Sequence, residues 1–124
     1  RPRRRLEFGT GIPERLLADN LIAAVGRYLP FLQAVGISPP YAVLLSLLGV
    51  RGYFLRDGEY LLGMEQQPLE RDEYLFPPVE AADATTAPAT LLRPVFDALW
   101  NAVGRTQSPH YHPQSGEWAP RGQK

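Results

Sequence analysis

Apolar residues recur along positions 12–35 at spacings of three and four. Leu17, Leu21, Val25, Tyr28, Leu32 and Val35 make one stripe, widened by Leu16, Ile22 and Leu29, while Glu14, Arg15, Asp19 and Arg27 fall on the other side. The pattern predicts a first helix over 12–35. Pro13 suits its first position, Glu14 suits the positive end of its dipole, and Gly36 suits its stop. Pro30 interrupts the hydrogen-bond ladder at a cost of about 3 kcal/mol. Gly26, four residues earlier, leaves room for the ring, so one kinked helix is expected rather than two. A second stripe, Leu92, Val95 or Phe96, Leu99 and Val103, predicts a helix over 90–103 with Thr90 as N-cap and Gly104 as stop.

Between the helices the pattern changes. Positions 41–50 are apolar except for Ser46, with Pro39 and Pro40 before them and Gly49 and Gly52 after. A run this short and this tightly bounded predicts a central strand covered on both faces, with a helix as the competing reading. Asp57-Gly58 predicts a hairpin turn joining 52–56 to a return strand over 59–64. Positions 74–80 contain Pro77 and Pro78, which restricts them to a short edge strand. Positions 81–89 are small and polar, a flexible connection. The expected fold is α+β: a small antiparallel sheet of central strand, hairpin and edge strand, packed by two helices. Residues 1–11 are expected to be a basic linker or incoming strand, 12–104 a single domain, and 105–124 an extended tail in which Tyr111 and Trp118 act as surface anchors. One face of the small sheet is expected to stay uncovered, with Tyr41, Tyr53, Phe54, Tyr60 and Tyr74 lining an interaction surface.

Composition adjusts this picture in three places. The 124 residues suit one domain. Thirteen Lys/Arg balance thirteen Asp/Glu, but Arg1, Arg3, Arg4 and Arg5 hold four of the positive charges. Without them, nine basic residues face thirteen acidic ones, so the body is acidic and one end is basic. Those four arginines are the candidate nucleic-acid contacts, and a solvated linker is the alternative. Thirdly, there is no cysteine, which excludes disulfides, thiolate metal sites and cysteine nucleophiles and is compatible with a cytoplasmic location. A start at Arg-Pro-Arg-Arg-Arg, without Met, suggests a cut through a longer polypeptide. The longest apolar run, about ten residues, is half of what a membrane-spanning helix needs.

Few positions offer chemistry. His110 and His112 with Glu117 have ligand-bearing side chains, but they lie among turn residues, and exposed turn histidines are expected. Gly49-Val-Arg-Gly52 offers an anion nest in principle and a plain turn more simply. Nucleotide-binding glycine motifs, the His-Glu-x-x-His zinc motif and the Gly-x-Ser-x-Gly elbow are all missing from the sequence. The expectation is a non-catalytic chain with no cofactor and no bound metal.

Three collinear blocks resemble a known family. Leu47-Leu-Gly-Val-Arg-Gly-Tyr53, Leu91-Leu-Arg-Pro-Val-Phe-Asp-Ala-Leu-Trp-Asn-Ala-Val-Gly104, and Ser108-Pro-His-Tyr with Gly-Glu-Trp118 are similar to the C-terminal region of bacterial proteins that carry an upstream AlbA-2, or Schlafen-type, domain. The resemblance implies an accessory module for domain packing or self-association, with ATP or DNA bound by the upstream domain of the same polypeptide. It carries no functional residue onto this chain. Its partners would be that upstream domain, a second copy, or DNA through the parent protein. A nucleic-acid-binding module using the basic arm is the alternative.

Overall fold

The computed structural model describes residues 11–56 and 67–119. The element order is β1 (Gly11–Pro13), α1 (Glu14–Ala34), β2 (Tyr41–Val43), β3 (Ser46–Leu48), β4 (Phe54–Arg56), β5 (Glu73–Leu75), β6 (Val79–Ala81), α2 (Pro88–Leu91) and α3 (Arg93–Asn101). The fold is α+β. α1 continues through Pro30 as one helix. Pro13 stands at its N-cap in extended backbone and Glu14 is its first residue, one position later than expected. At the other end Gly36 takes φ +91°, the left-handed turn that stops the helix.

Three two-stranded sheets replace the expected single sheet. β1 pairs with β4 in parallel, while β2 with β6 and β3 with β5 are antiparallel. The two antiparallel pairs form one interrupted ribbon. Val43 is opposite Val79 and Ser46 is opposite Leu75, so Leu44 and Leu45 face three residues, Phe76, Pro77 and Pro78. One extra residue makes a bulge, and it falls where two prolines cannot donate to a ladder. The Phe76 amide bridges the gap by donating to the Leu45 carbonyl at 3.1 Å. Beyond β3, the pairing is prolonged by the amides of Gly49 and Gly52, which donate to Asp72 and Leu69 at 2.7 Å each.

The ribbon corrects the expectation of a central strand covered on both faces. Tyr41 is buried and Val43, Leu45 and Leu47 are partly buried, whereas Ala42, Leu44, Ser46 and Leu48 are exposed. This is a two-residue period with one covered face. With Leu45 and Leu47 in the inward phase and Leu44 and Leu48 in the outward one, composition hides the alternation. The return strand expected over 59–64 and its Asp57-Gly58 turn lie outside the described residues.

The core combines α1 through Ala18, Val25 and Leu29, the ribbon through Tyr41, Phe76 and Ala81, Leu55 of β4, and the C-terminal helical layer. In that layer Leu91, Leu92, Val95, Phe96, Leu99, Trp100 and Val103 are all buried, a face wider than one stripe. The helix begins at Pro88 rather than at Thr90, since proline is well placed in a first turn, and it breaks briefly at Leu92. The connection over 82–87 is organised by Asp83. Its carboxylate accepts from the Thr85 amide at 2.9 Å and hydroxyl at 2.6 Å, which holds it below the usual aspartate range.

Candidate functional site

Two features of the structure bear on function: a buried polar clasp and an uncovered apolar face. The clasp involves residues 105–119, which do not trail away as an extended tail. Ser108, His110 and Tyr111 are buried, and the segment returns across α1 and α3. His110 is therefore an interior residue and not an exposed turn histidine. Its Nε2 lies 2.6 Å from Oε1 of Glu14, which is itself fully buried at the start of α1. Arg15 closes the other side. Its Nη1 is 3.5 Å from His110 Nδ1, its Nη2 donates to the Ala119 carbonyl at 2.8 Å, and its guanidinium lies 4.5 Å from the Trp118 ring centre. Asp19, one turn along, holds Arg15 Nε at 3.2 Å.

Aromatic rings seal this clasp. Trp118 packs against Phe96, His110 and Tyr111, and Trp100 meets His110 edge-on. The Tyr111 hydroxyl donates to the Ala89 carbonyl at 2.6 Å. Burial and then the Asp97 charge push the Tyr111 phenol far above its usual range, with Arg93 opposing. The Ser108 hydroxyl accepts from the backbone amide of His110 at 3.3 Å. Glu14 Oε2 and Trp100 Nε1 are buried without a hydrogen-bond partner among the described residues. The arrangement fastens the C-terminal segment to the first turn of α1.

The second feature is the outward face of the ribbon. Leu44, Leu48 and Leu75 are 73%, 69% and 72% exposed. Leu75 is opposite Ser46, the residue midway between Leu44 and Leu48, so the three leucines share one face at neighbouring positions. Glu80 opposite Ala42 and Glu73 opposite Leu48 place a carboxylate at each end of that face. The signal for this face was Ser46, whose polar side chain marks the outward phase of the run.

The residues expected to line an uncovered sheet face lie elsewhere. Tyr41 is buried, with its hydroxyl donating to the Ile37 carbonyl at 2.6 Å. Tyr74, across from Leu47, stacks with Phe76, and its hydroxyl accepts from the Glu70 and Arg71 amides. Tyr53 and Phe54 are half-buried. The pleat puts Tyr41 and Tyr74 in the inward phase, so the uncovered face is leucine and not tyrosine. Tyr60 and Arg1, Arg3, Arg4 and Arg5 lie outside the described residues. Gly49 and Gly52 take positive φ in the turn around exposed Arg51. His112 belongs to a separate turn in which its amide donates to the Glu117 carbonyl at 2.8 Å. Among the described residues no group of three or more His, Asp or Glu side chains is placed to hold a metal, and no helix is long and apolar enough to cross a membrane.

No protein-family model, curated protein or solved structure matches this chain. The three blocks behind the family resemblance converge in the structure on the scaffold. Val50 and the Leu91–Val103 face are core, and Ser108, His110 and Tyr111 pack on that helical layer.

Proposed function

We propose that this chain is a non-catalytic interaction module, which docks a partner on the outward face of its ribbon. The observation that supports this reading is the exposed Leu44–Leu48–Leu75 face with a carboxylate at either end. A contiguous apolar patch with a polar rim is the ordinary anatomy of a protein interface. Glu73 and Glu80 select a partner whose apolar strip is flanked by Lys or Arg, and they disfavour a two-fold copy of the same face. On the strength of the three collinear sequence blocks, that partner is the upstream AlbA-2-type domain of a longer bacterial cytoplasmic polypeptide. A nucleic-acid-binding domain is itself basic, so the charges match. ATP or DNA is then bound there and not on this chain.

The test uses two synthetic peptides with the same leucine core, Lys-Leu-Thr-Leu-Thr-Leu-Lys and Glu-Leu-Thr-Leu-Thr-Leu-Glu, in fluorescence anisotropy. The basic peptide binds the wild type, and Leu75→Glu weakens it at least about tenfold, a loss of about 1.4 kcal/mol. Equal binding of the two peptides, or an unaffected Leu75→Glu variant, overturns the proposal.

A further inference from the structure

α1 carries a second uncovered apolar surface, independent of the ribbon. Leu17, Leu21, Ala24, Tyr28, Phe31 and Val35 follow one another at spacings of 4, 3, 4, 3 and 4, the repeat of a helix-pairing seam. The domain covers this seam only over its N-terminal half, where Leu17 and Leu21 pack against the core. The buried residues Ala18, Val25 and Leu29 each stand one position after a seam residue, a rotation of about 100° around the helix. α1 therefore has two adjacent apolar stripes, and its own core covers the first and only the N-terminal half of the second. Along the second, Leu17, Leu21 and Ala24 are partly covered, whereas Tyr28, Phe31 and Val35 are 61%, 59% and 54% exposed. Ile37, just past the helix end, is 50% exposed beside them. Pro30 is two residues from Tyr28 and projects from the opposite side of the helix.

We propose that the exposed Tyr28–Phe31–Val35 seam pairs with the same seam of a second copy, antiparallel and centred on Phe31. Charge argues for a second copy here as it argues against one at the ribbon. Residues 28–50 contain no charged side chain, so two copies meet without like charges along the exposed part of the seam. Arg27 selects the orientation. A parallel pair sets the two Arg27 side chains together, whereas the antiparallel pair puts Tyr28 and Arg27 near Val35 of the other copy and leaves the arginines about 12 Å apart along the axis. The helix dipoles also oppose one another favourably. The four exposed residues offer on the order of 400–500 Å² per copy, against about 800 Å² in a standard stable interface. The dimer is accordingly weak and concentration-dependent.

Sedimentation equilibrium on the whole chain tests this. The wild type moves from 13.9 kDa towards twice that mass as concentration rises from about 10 µM to about 1 mM. Phe31→Glu and Tyr28→Glu each stay at the monomer mass with unchanged near-ultraviolet circular dichroism, and Phe31→Leu still dimerises. Leu75→Glu dimerises as the wild type does, which separates this interface from the ribbon. A wild type that remains monomeric at the highest concentration overturns the proposal, as does a Phe31→Glu variant that associates normally or a Leu75→Glu variant that does not associate.

Discussion

Glu14 and His110, 96 residues apart, meet at 2.6 Å inside the protein and join the first turn of α1 to the C-terminal segment. Removing one partner takes this buried hydrogen bond from the other, at a cost of about 1–3 kcal/mol. His110→Ala and Glu14→Ala should each lower stability by that amount in urea unfolding. The double variant should lose clearly less than the sum, because the second substitution removes a group already orphaned by the first. Strict additivity would show that the two side chains do not act together.

Arg15 has four contacts to lose: His110, Ala119, Trp118 and Asp19. Lysine keeps the charge but not the planar fork that reaches the Ala119 carbonyl while lying over Trp118. Arg15→Lys should cost about 1 kcal/mol, the size of one net hydrogen bond, and should shift Trp118 fluorescence towards that of an exposed indole. An unchanged spectrum would place Trp118 out of Arg15's control.

Tyr111 gives the fold an alkaline limit. Its phenol is raised in the folded state, so the folded protein keeps that proton after the unfolded chain has lost it. Stability is therefore unaffected by this group below about pH 10, the ordinary tyrosine value, and falls as pH rises beyond it. Tyr111→Phe should lose about 1 kcal/mol at neutral pH with its hydrogen bond to Ala89 and should have a shallower decline above pH 10. The difference between the two alkaline slopes, from denaturation at several pH values, checks the sign.

The parity of the ribbon predicts the response of neighbouring leucines. Leu48→Ala and Leu44→Ala, on the exposed face, should change stability by less than about 0.5 kcal/mol. Leu55→Ala, at a fully buried position of β4, should cost about 2–5 kcal/mol. Comparable losses at Leu48 and Leu55 would mean that the outward face is covered.

Much of the architecture was legible because helices announce themselves by period. The stripes of α1 and α3, the proline at the start of α1 and the Gly36 stop follow from spacing and backbone chemistry. The ribbon was harder. Leucine fills both phases of residues 41–48, and only Ser46 marks which phase faces water. The bulge at Phe76–Pro78 cannot be seen in either strand alone, since it is a relation between two registers. The clasp was hidden for a different reason: Glu14 looks like a dipole partner and His110 a turn residue until the fold brings them together. The seam on α1 was half visible. Tyr28 and Val35 fall on the stripe that the spacing predicts, yet both are exposed, so a helix can be apolar over more of its surface than its own domain covers.

The ribbon face is the centre of the functional account, and the location of binding tests it most directly. In amide chemical-shift mapping with the Lys-flanked leucine peptide, the predicted changes cluster on residues 42–48 and 73–80 and leave α1 and the clasp unperturbed. Shifts centred on α1 or on residues 105–119, with the ribbon silent, would contradict it.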